Sequence, residues 1–201
     1  MVGVSIFLRN PELILAASHF AAKPGSERSH LAGVRLEVRA LPEDNDTPYE
    51  HEVFIVATDG LMMFVGHVLA EVFGDPAEFT LPPEAVRVLK AGRFTGVAYD
   101  PEECQVQIQN GDSVVFKALL DWHPNWRQVV PGSYRVRAAM YDPALMVRVD
   151  RARRALGVKS PVTITPCGES PGYIDFHRPD CFGQILPLRY PYTDSPPSWV
   201  R

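Results

Sequence analysis

The chain has 201 residues, of which 46% are hydrophobic and 22% are charged, and its formal net charge is −4. This composition excludes a fibrous or disordered protein and allows a core for one domain or two small ones. The mild charge excludes a surface that is basic all over, but it leaves room for a basic patch on one face. Cys104, Cys167 and Cys181 lack the close spacing of a zinc site, and no apolar run approaches the roughly 18 residues of a membrane helix. We expect a cytoplasmic protein with reduced thiols, no metal or other cofactor and no membrane contact.

The first part of the chain predicts a strand, a helix and three more strands. Residues 3–9 form the first predicted strand, and Asn10-Pro11 is a helix-start signal with an N-cap side chain and a proline in the first turn. Apolar residues then follow at helical spacing until Pro24-Gly25 ends the helix. The next predicted strands are 31–39, 52–58 and 62–68. Asp59-Gly60 joins the last two strands as a tight turn.

The same order of elements recurs twice. The second unit has a short strand at 79–81, a helix opened by Pro82-Pro83, and strands at 94–99, 105–109 and 113–119. After a connector, the third unit has a strand at 134–140, a helix opened by Asp142-Pro143, and strands at 162–167, 173–177 and 183–189. The pattern predicts an α+β fold built from three repeats of strand, helix and three antiparallel strands.

The last predicted segment, residues 191–201, differs from the repeats. It is rich in proline and serine and carries one large apolar residue, Trp199. Such a composition predicts a flexible tail. We also hypothesise that this tail folds over the predicted pocket near residues 185–189 that is described below.

Three short stretches resemble the beta sliding clamp of bacterial DNA polymerase III. Residues 29–37 (SHLAGVRLE) with 56–60 (VATDG) are similar to the pattern RP-x-L-x-G-V-x-L-E … V-A-T-D-G of that family. Residues 123–131 (HPNWRQVVP) resemble its F-P-D-Y-R-R-V-I-P, and 185–189 (ILPLR) resemble its M-P-M-R near the C-terminal end. The resemblance implies a DNA-clamp-like fold. It assigns 1–131 to a domain like the clamp's middle domain and 132–190 to a third repeat unit like the second half of its last domain.

The resemblance also implies a peptide-binding pocket, because the three stretches converge in clamps on a site for hydrophobic tails of polymerases, clamp loaders and repair proteins. Carried over by position, the predicted pocket residues are Thr58, Gly60, Leu61, Met62, Met63, Pro124, Gln128, Val129, Leu186, Pro187, Leu188 and Arg189. Leu61-Met62 stand where clamps usually have His-Arg, and Gln128 replaces an arginine, so this pocket is more apolar and less cationic. The simpler interpretation of Asp59-Gly60, taken alone, is an ordinary hairpin turn.

The third predicted helix carries several arginines, and clamp helices line the hole through which DNA passes. The predicted contacts to DNA phosphates, without sequence readout, are Arg87, Lys90, Arg148, Arg151 and Arg154. The alternative is an ordinary solvated basic face.

The sequence offers little for catalysis. The six histidines have no metal-ligand spacing, and no phosphate loop or nucleophile motif is present, so we do not expect an enzyme. Three function hypotheses remain. The first is a clamp-like replication factor that forms a ring on DNA, for which three units per chain imply a homotetramer. The second is a ring-less peptide-binding adaptor or competitor of a full-length clamp, and the third is an unrelated α+β enzyme.

Overall fold

A computed structural model describes residues 3–42, 47–89, 95–110, 112–119 and 124–188 of the chain. The first unit contains β1 (Val4–Leu8), α1 (Glu12–Ser18), β2 (Val34–Ala40), β3 (His51–Thr58) and β4 (Met62–Gly74). The second contains β5 (Glu78–Leu81), α2 (Pro83–Val88), β6 (Thr95–Asp100), β7 (Gln105–Asn110) and β8 (Asp112–Lys117). The third contains α3 (Pro143–Ala155), β9 (Thr163–Cys167), β10 (Ser170–Asp175) and β11 (Cys181–Ile185). The predicted α+β class, with mostly antiparallel strands and few helices, is confirmed.

The first two units exchange their opening strands. The main sheet has the order β5-β2-β3-β4-β1-β6-β7-β8, and each neighbouring pair is antiparallel. Strand β1 therefore lies between β4 of its own unit and β6 of the second unit, while β5 of the second unit pairs with β2 of the first. This exchange joins the first two units through backbone hydrogen bonds on both sides.

Strand β4 connects the third unit to the first. Along one edge, residues 63–70 of β4 pair with β3. Along the other edge, residues 62–66 pair with β11, and residues 71–74 pair with β1. The partner on that edge thus changes along a single strand of 13 residues. The three-stranded group β9-β10-β11 joins the sheet at this point.

The main core lies between the helices and the inner face of the sheet, and all three units contribute to it. Phe20 after α1, Phe64 of β4 and Phe176 after β10 are fully buried, with ring centroids 5.6 to 6.3 Å apart. Alternation along β4 sends Met62 and Phe64 into this core. It sends Met63 and Val65 to the opposite face, where they pack in a second cluster with Val56 and Trp126.

Two of the predicted helix starts are observed, and the start of α1 is different. Asp142 caps α3 by accepting a hydrogen bond of 2.8 Å from the Ala144 N–H, and Pro143 lies in the first turn. Pro83 similarly opens α2. The prediction that the Asn10 side chain caps α1 is wrong, because that helix begins at Glu12 without a side-chain cap.

Helix α1 is also shorter than the sequence predicts, since it ends at Ser18. The carbonyls of His19 and Ala21, which could accept bonds in a longer helix, accept instead from the Arg148 guanidinium of α3. A contact from a distant part of the chain therefore coincides with the end of the helix.

The predicted opening strand of the third unit, 134–140, is wrong. This segment forms only an isolated parallel bridge between Arg137 and Cys167, and Val136 is 75% exposed. The opening strand of the first unit pairs with the second unit, and the opening strand of the second unit pairs with the first. The third unit has no complementary unit within the described residues, so its opening segment lacks that partner.

Several sequence predictions lie outside the described residues, namely those for Lys90, Arg189 and the tail 191–201. The division of the chain at residue 131 stays a prediction. No helix in the described ranges is long and apolar enough to cross a membrane.

Candidate functional site

An apolar cavity of about 270 Å³ opens where the β3–β4 turn, the connector before α3 and the end of β11 meet. Eight of the twelve residues predicted for the pocket line it: Thr58, Gly60, Leu61, Met62, Met63, Pro124, Val129 and Leu186. Four lining residues were not predicted: Trp126, Pro171, Gln184 and Ile185. Three segments far apart in sequence, together with Pro171 of β10, thus form a single surface depression.

The first wall is the turn between β3 and β4, which its own side chains hold rigidly. The Asp59 carboxylate accepts hydrogen bonds from the N–H groups of Leu61, at 2.8 Å, and Met62, at 2.9 Å. The Thr58 hydroxyl donates to the Met62 carbonyl at 2.7 Å, and Gly60 has a φ of +82°. Thr58 and Asp59 are buried, whereas Leu61 is 43% exposed. The turn therefore presents an apolar side chain on a fixed backbone.

The floor of the cavity is Trp126, which the sequence interpretation missed. The ring is 9% exposed and lies 5.5 Å from Phe54, centroid to centroid. Asn125 caps the short 3-10 turn Trp126–Gln128 by accepting from the Arg127 N–H at 3.1 Å. The motif resemblance predicted Pro124, Gln128 and Val129 for this part of the pocket, but not Trp126. A large apolar residue in a short polar connector could have indicated that Trp126 packs against the sheet.

The predicted residue Gln128 is exposed and does not line the cavity in the described structure. The short 3-10 turn that buries Trp126 leaves the Gln128 side chain on the surface. The motif match thus gave the right segment, but one of its assigned side chains is displaced from the cavity.

The second wall follows β11. The Leu186 N–H donates to the Leu61 carbonyl at 2.8 Å, so the two walls are hydrogen-bonded to each other. Strand β11 ends at Ile185, two residues before Pro187, whereas the sequence predicted a strand over 183–189. A proline lacks the N–H that a ladder needs, which explains the earlier end. Pro187 and Leu188 continue past the cavity without lining it.

Beneath the floor, the buried carboxylate of Glu37 anchors the connector. The Arg127 guanidinium donates to it at 2.7 Å, and the Trp126 indole N–H donates at 3.4 Å. Burial alone would raise the pKa of Glu37, but Arg127, the Trp126 N–H and Arg35 together hold that pKa below its ordinary value. Glu37 is therefore charged at neutral pH and fixes the floor to β2.

The predicted DNA-binding arginines fall into two groups. Arg87, Arg151 and Arg154 are exposed, and Arg154 pairs with Asp150 at 2.7 Å. The Arg153 hydrogen bond to Asp150 lowers the pKa of that carboxyl, and the charges of Arg154 and Arg153 add to the effect.

Arg148 turns into the protein instead. It donates to two carbonyls of the first unit and to the Asp59 carboxylate, so each of its three nitrogens makes a bond within the protein. We therefore remove Arg148 from the expected DNA contacts. Burial, followed by the charges of Arg151 and Arg148, lowers the pKa of the neighbouring His19.

Catalytic chemistry receives little support from the described residues. They contain no group of three or more His, Cys, Asp or Glu side chains that could hold a metal ion. Burial raises the pKa of Cys181 to about 12, so this thiol is protonated at neutral pH. A nucleophilic cysteine needs the opposite shift.

Comparisons with known structures agree with this geometry at the level of the fold. The chain is similar to the DNA polymerase III beta subunit of Thermotoga maritima, with a TM-score of 0.68 and 13% identity over 94% of this chain and 66% of that one. It is also similar to the beta subunit of Pseudomonas aeruginosa, with a TM-score of 0.67 and 12% identity over 92% of this chain and 66% of that one. No protein-family model and no curated protein matches the chain.

The chain therefore has an α+β fold of the DNA-clamp type. In particular, it has the fold of the bacterial DNA polymerase III beta subunit, and it spans 66% of the length of the two subunits compared. The resemblance seen in the sequence is confirmed for the fold.

Proposed function

We propose that the chain is a clamp-like accessory protein of DNA replication, without enzymatic activity, that binds hydrophobic peptide motifs of replication or repair proteins. The observation that carries the proposal is the convergence of eight motif-assigned residues on one apolar cavity. The likeness of the fold to the two DNA polymerase III beta subunits supports it. The three free cysteines suit a reducing compartment such as the cytoplasm.

The lining of the cavity suits an extended peptide with apolar anchors. Leu61, which is 43% exposed, and Met63 provide flexible side chains that can adapt to different apolar partners, while Met62 packs into the core behind them. The volume of about 270 Å³ is near the lower end of the range for ligand pockets, roughly 300 Å³, so it suits a few side chains. Exposed Val129, Leu186 and Leu188 widen the apolar surface around it.

The proposal extends to DNA through the exposed arginines Arg87, Arg151 and Arg154, together with Lys90. These side chains would contact phosphates without reading sequence. The ring that the resemblance implies has twelve such units, so four chains of three units each would close it, and this ring is the first form of the proposal.

A ring-less adaptor or competitor of a full-length clamp is the second form. The inward orientation of Arg148 favours it, because this contact removes one cation from the helix face.

A direct test of the pocket uses one substitution and a matched control. The probe is a labelled peptide copied from the C-terminal tail of the replicative DNA polymerase of the organism in which the chain occurs. A second peptide has serine at each large apolar position. Leu186→Asp should weaken binding of the first peptide at least tenfold, because it places a charge at the apolar wall. Val136→Asp changes an equally apolar, exposed residue away from the cavity and should leave binding intact. The proposal would be refuted if the wild-type protein bound both peptides equally. It would also be refuted if Leu186→Asp bound the first peptide as tightly as the wild type.

The two forms of the proposal are separated by the solution mass and by retention on DNA. A ring predicts a tetramer that stays on closed circular DNA and slides off the same DNA after linearisation. A monomer or dimer that shows no such difference would support the ring-less form.

A further inference from the structure

Arg148 connects the third unit to the first at three points. Its Nε donates to the His19 carbonyl at 2.7 Å, and Nη2 donates to the Ala21 carbonyl at 2.8 Å. Its Nη1 forms a hydrogen-bonded ion pair with the Asp59 carboxylate. The side chain is 22% exposed. The planar guanidinium spreads its donors over three nitrogens in a fixed fork and so reaches these three acceptors, whereas a lysine has all its donors on one nitrogen.

Asp59 is the centre of the turn that forms the first wall of the cavity. One carboxylate oxygen accepts from the Leu61 and Met62 N–H groups, and the other faces Arg148. The Asp59 carbonyl accepts from Nη1 of Arg28 at 2.7 Å. The same carboxylate thus shapes the backbone of the turn and receives the arginine of α3.

Removing Arg148 would leave the Asp59 charge buried without its cation. An unpaired buried carboxylate is costly, so the side chain would turn toward water. That rotation would break the bonds to Leu61 and Met62, since both depend on the orientation of the carboxylate. The apolar wall would then lose its fixed position.

We propose that Arg148 is a positioning residue for the peptide pocket, so that α3 of the third unit sets the affinity of a site whose first wall belongs to the first unit. The inference rests on the proposed function. It gives an arginine of a basic helix a role in peptide binding. Arg148 affects the position of the first wall through its contact with Asp59.

The test is a double-mutant cycle read by peptide affinity. Arg148→Met keeps an apolar stem and removes the donors, while Asp59→Ala removes the carboxylate that accepts from both the turn and Arg148. Each should weaken binding of the polymerase-tail peptide at least fivefold. The double variant should bind as weakly as one single variant, because both break the same contact. Arg9→Met is the control, since Arg9 is an exposed arginine whose ion pair with Glu71 lies away from the cavity, and it should change affinity less than twofold.

A second measurement separates positioning from general loss of stability. Methyl NMR signals of Met62 and Met63 should shift in the same direction in Arg148→Met and Asp59→Ala, while methyl signals of Met146, on α3, should not follow that pattern. If Arg148→Met does not fold, Asp59→Ala alone decides, and unchanged affinity in that variant overturns the proposal.

Different outcomes would refute the role of Arg148 and the binding of peptides by the chain. Wild-type affinity in Arg148→Met, or effects of the two substitutions that multiply in the double variant, would refute the role of Arg148. A wild-type protein that does not bind the peptide would refute the proposed function instead. The methyl shifts would then still test whether Arg148 positions the turn.

Discussion

The Arg127 guanidinium donates a hydrogen bond of 2.7 Å to the buried carboxylate of Glu37, 90 residues earlier in the chain. The same guanidinium lies 4.1 Å from the Trp126 ring centroid and 4.6 Å from that of Phe54. Cation–π contacts and a charge-assisted bond thus act on one side chain. Because Trp126 forms the cavity floor, this ion pair fixes the position of the floor on the sheet.

Glu37→Gln should therefore destabilise the protein by roughly 3 kcal/mol, since it leaves the Arg127 charge without its partner in a poorly solvated place. Urea unfolding followed by tryptophan fluorescence measures this loss. Glu84→Gln, at an exposed position on α2, is the control and should change stability by less than about 0.5 kcal/mol. An equal effect of the two substitutions would contradict the prediction.

The difference in stability between wild type and Glu37→Gln should depend on pH. The folded-state pKa of Glu37 is below 4.5, its ordinary value, so its charged form stabilises the fold above that value. This contribution should be lost as the pH falls through the folded-state pKa, where wild-type Glu37 becomes protonated and resembles glutamine. Unfolding free energies between about pH 3 and 7 test the sign, and a gap that widens toward acid would contradict it.

Gly60→Ala should lower stability by about 1–2 kcal/mol, because the residue has a φ of +82° that favours glycine. The added Cβ would also lie 2.6 Å from Nη1 of Arg28, which must then move from the Asp59 carbonyl. Gly132→Ala is the matched control, since its Cβ would meet no atom within 4 Å. Thermal unfolding of both variants measures the difference, and equal melting temperatures would count against the described turn.

Replacing Arg151 and Arg154 together by glutamate should weaken binding to duplex DNA and flatten its dependence on salt. Each lost phosphate contact should reduce the slope of log affinity against log salt by about 1. Fluorescence anisotropy with a labelled duplex measures the slope. Arg9→Glu makes the same kind of charge change at an exposed site away from α3 and should have a smaller effect. A slope unchanged by the double substitution would exclude this helix face as the DNA contact.

Cys181 should resist alkylation in the folded protein. With a pKa of about 12, almost none of this thiol is thiolate at pH 8. Cys104 is only partly buried and should react first with iodoacetamide, while Cys181 should react only after unfolding. Mass spectrometry of digested samples follows the order. Early labelling of Cys181 would contradict its buried position.

Features set by neighbouring residues were predictable from the sequence. The Asp142-Pro143 pair predicts the start of α3, because cap and first turn depend on adjacent residues. The Asp59-Gly60 turn between β3 and β4 follows in the same way. The cavity was predictable only in outline, since the motif resemblance placed eight of its residues there but missed Trp126.

Features set by distant partners were not predictable. Arg148 was expected to contact DNA, yet its orientation is determined by acceptors about 90 to 130 residues away. The segment 134–140 has the composition of a strand, but strand formation also needs an adjacent edge to pair with. Such conditions depend on the whole fold, and periodicity along the chain does not contain them.

The change of partner along β4 has a consequence for the chain as a folding unit. Strand β4 pairs with β3, β1 and β11, so detaching the third unit would expose the backbone of residues 62–66 along one edge. An exposed edge of apolar residues invites association with other chains. We therefore expect a chain that lacks the third unit to self-associate through the unpaired edge of residues 62–66.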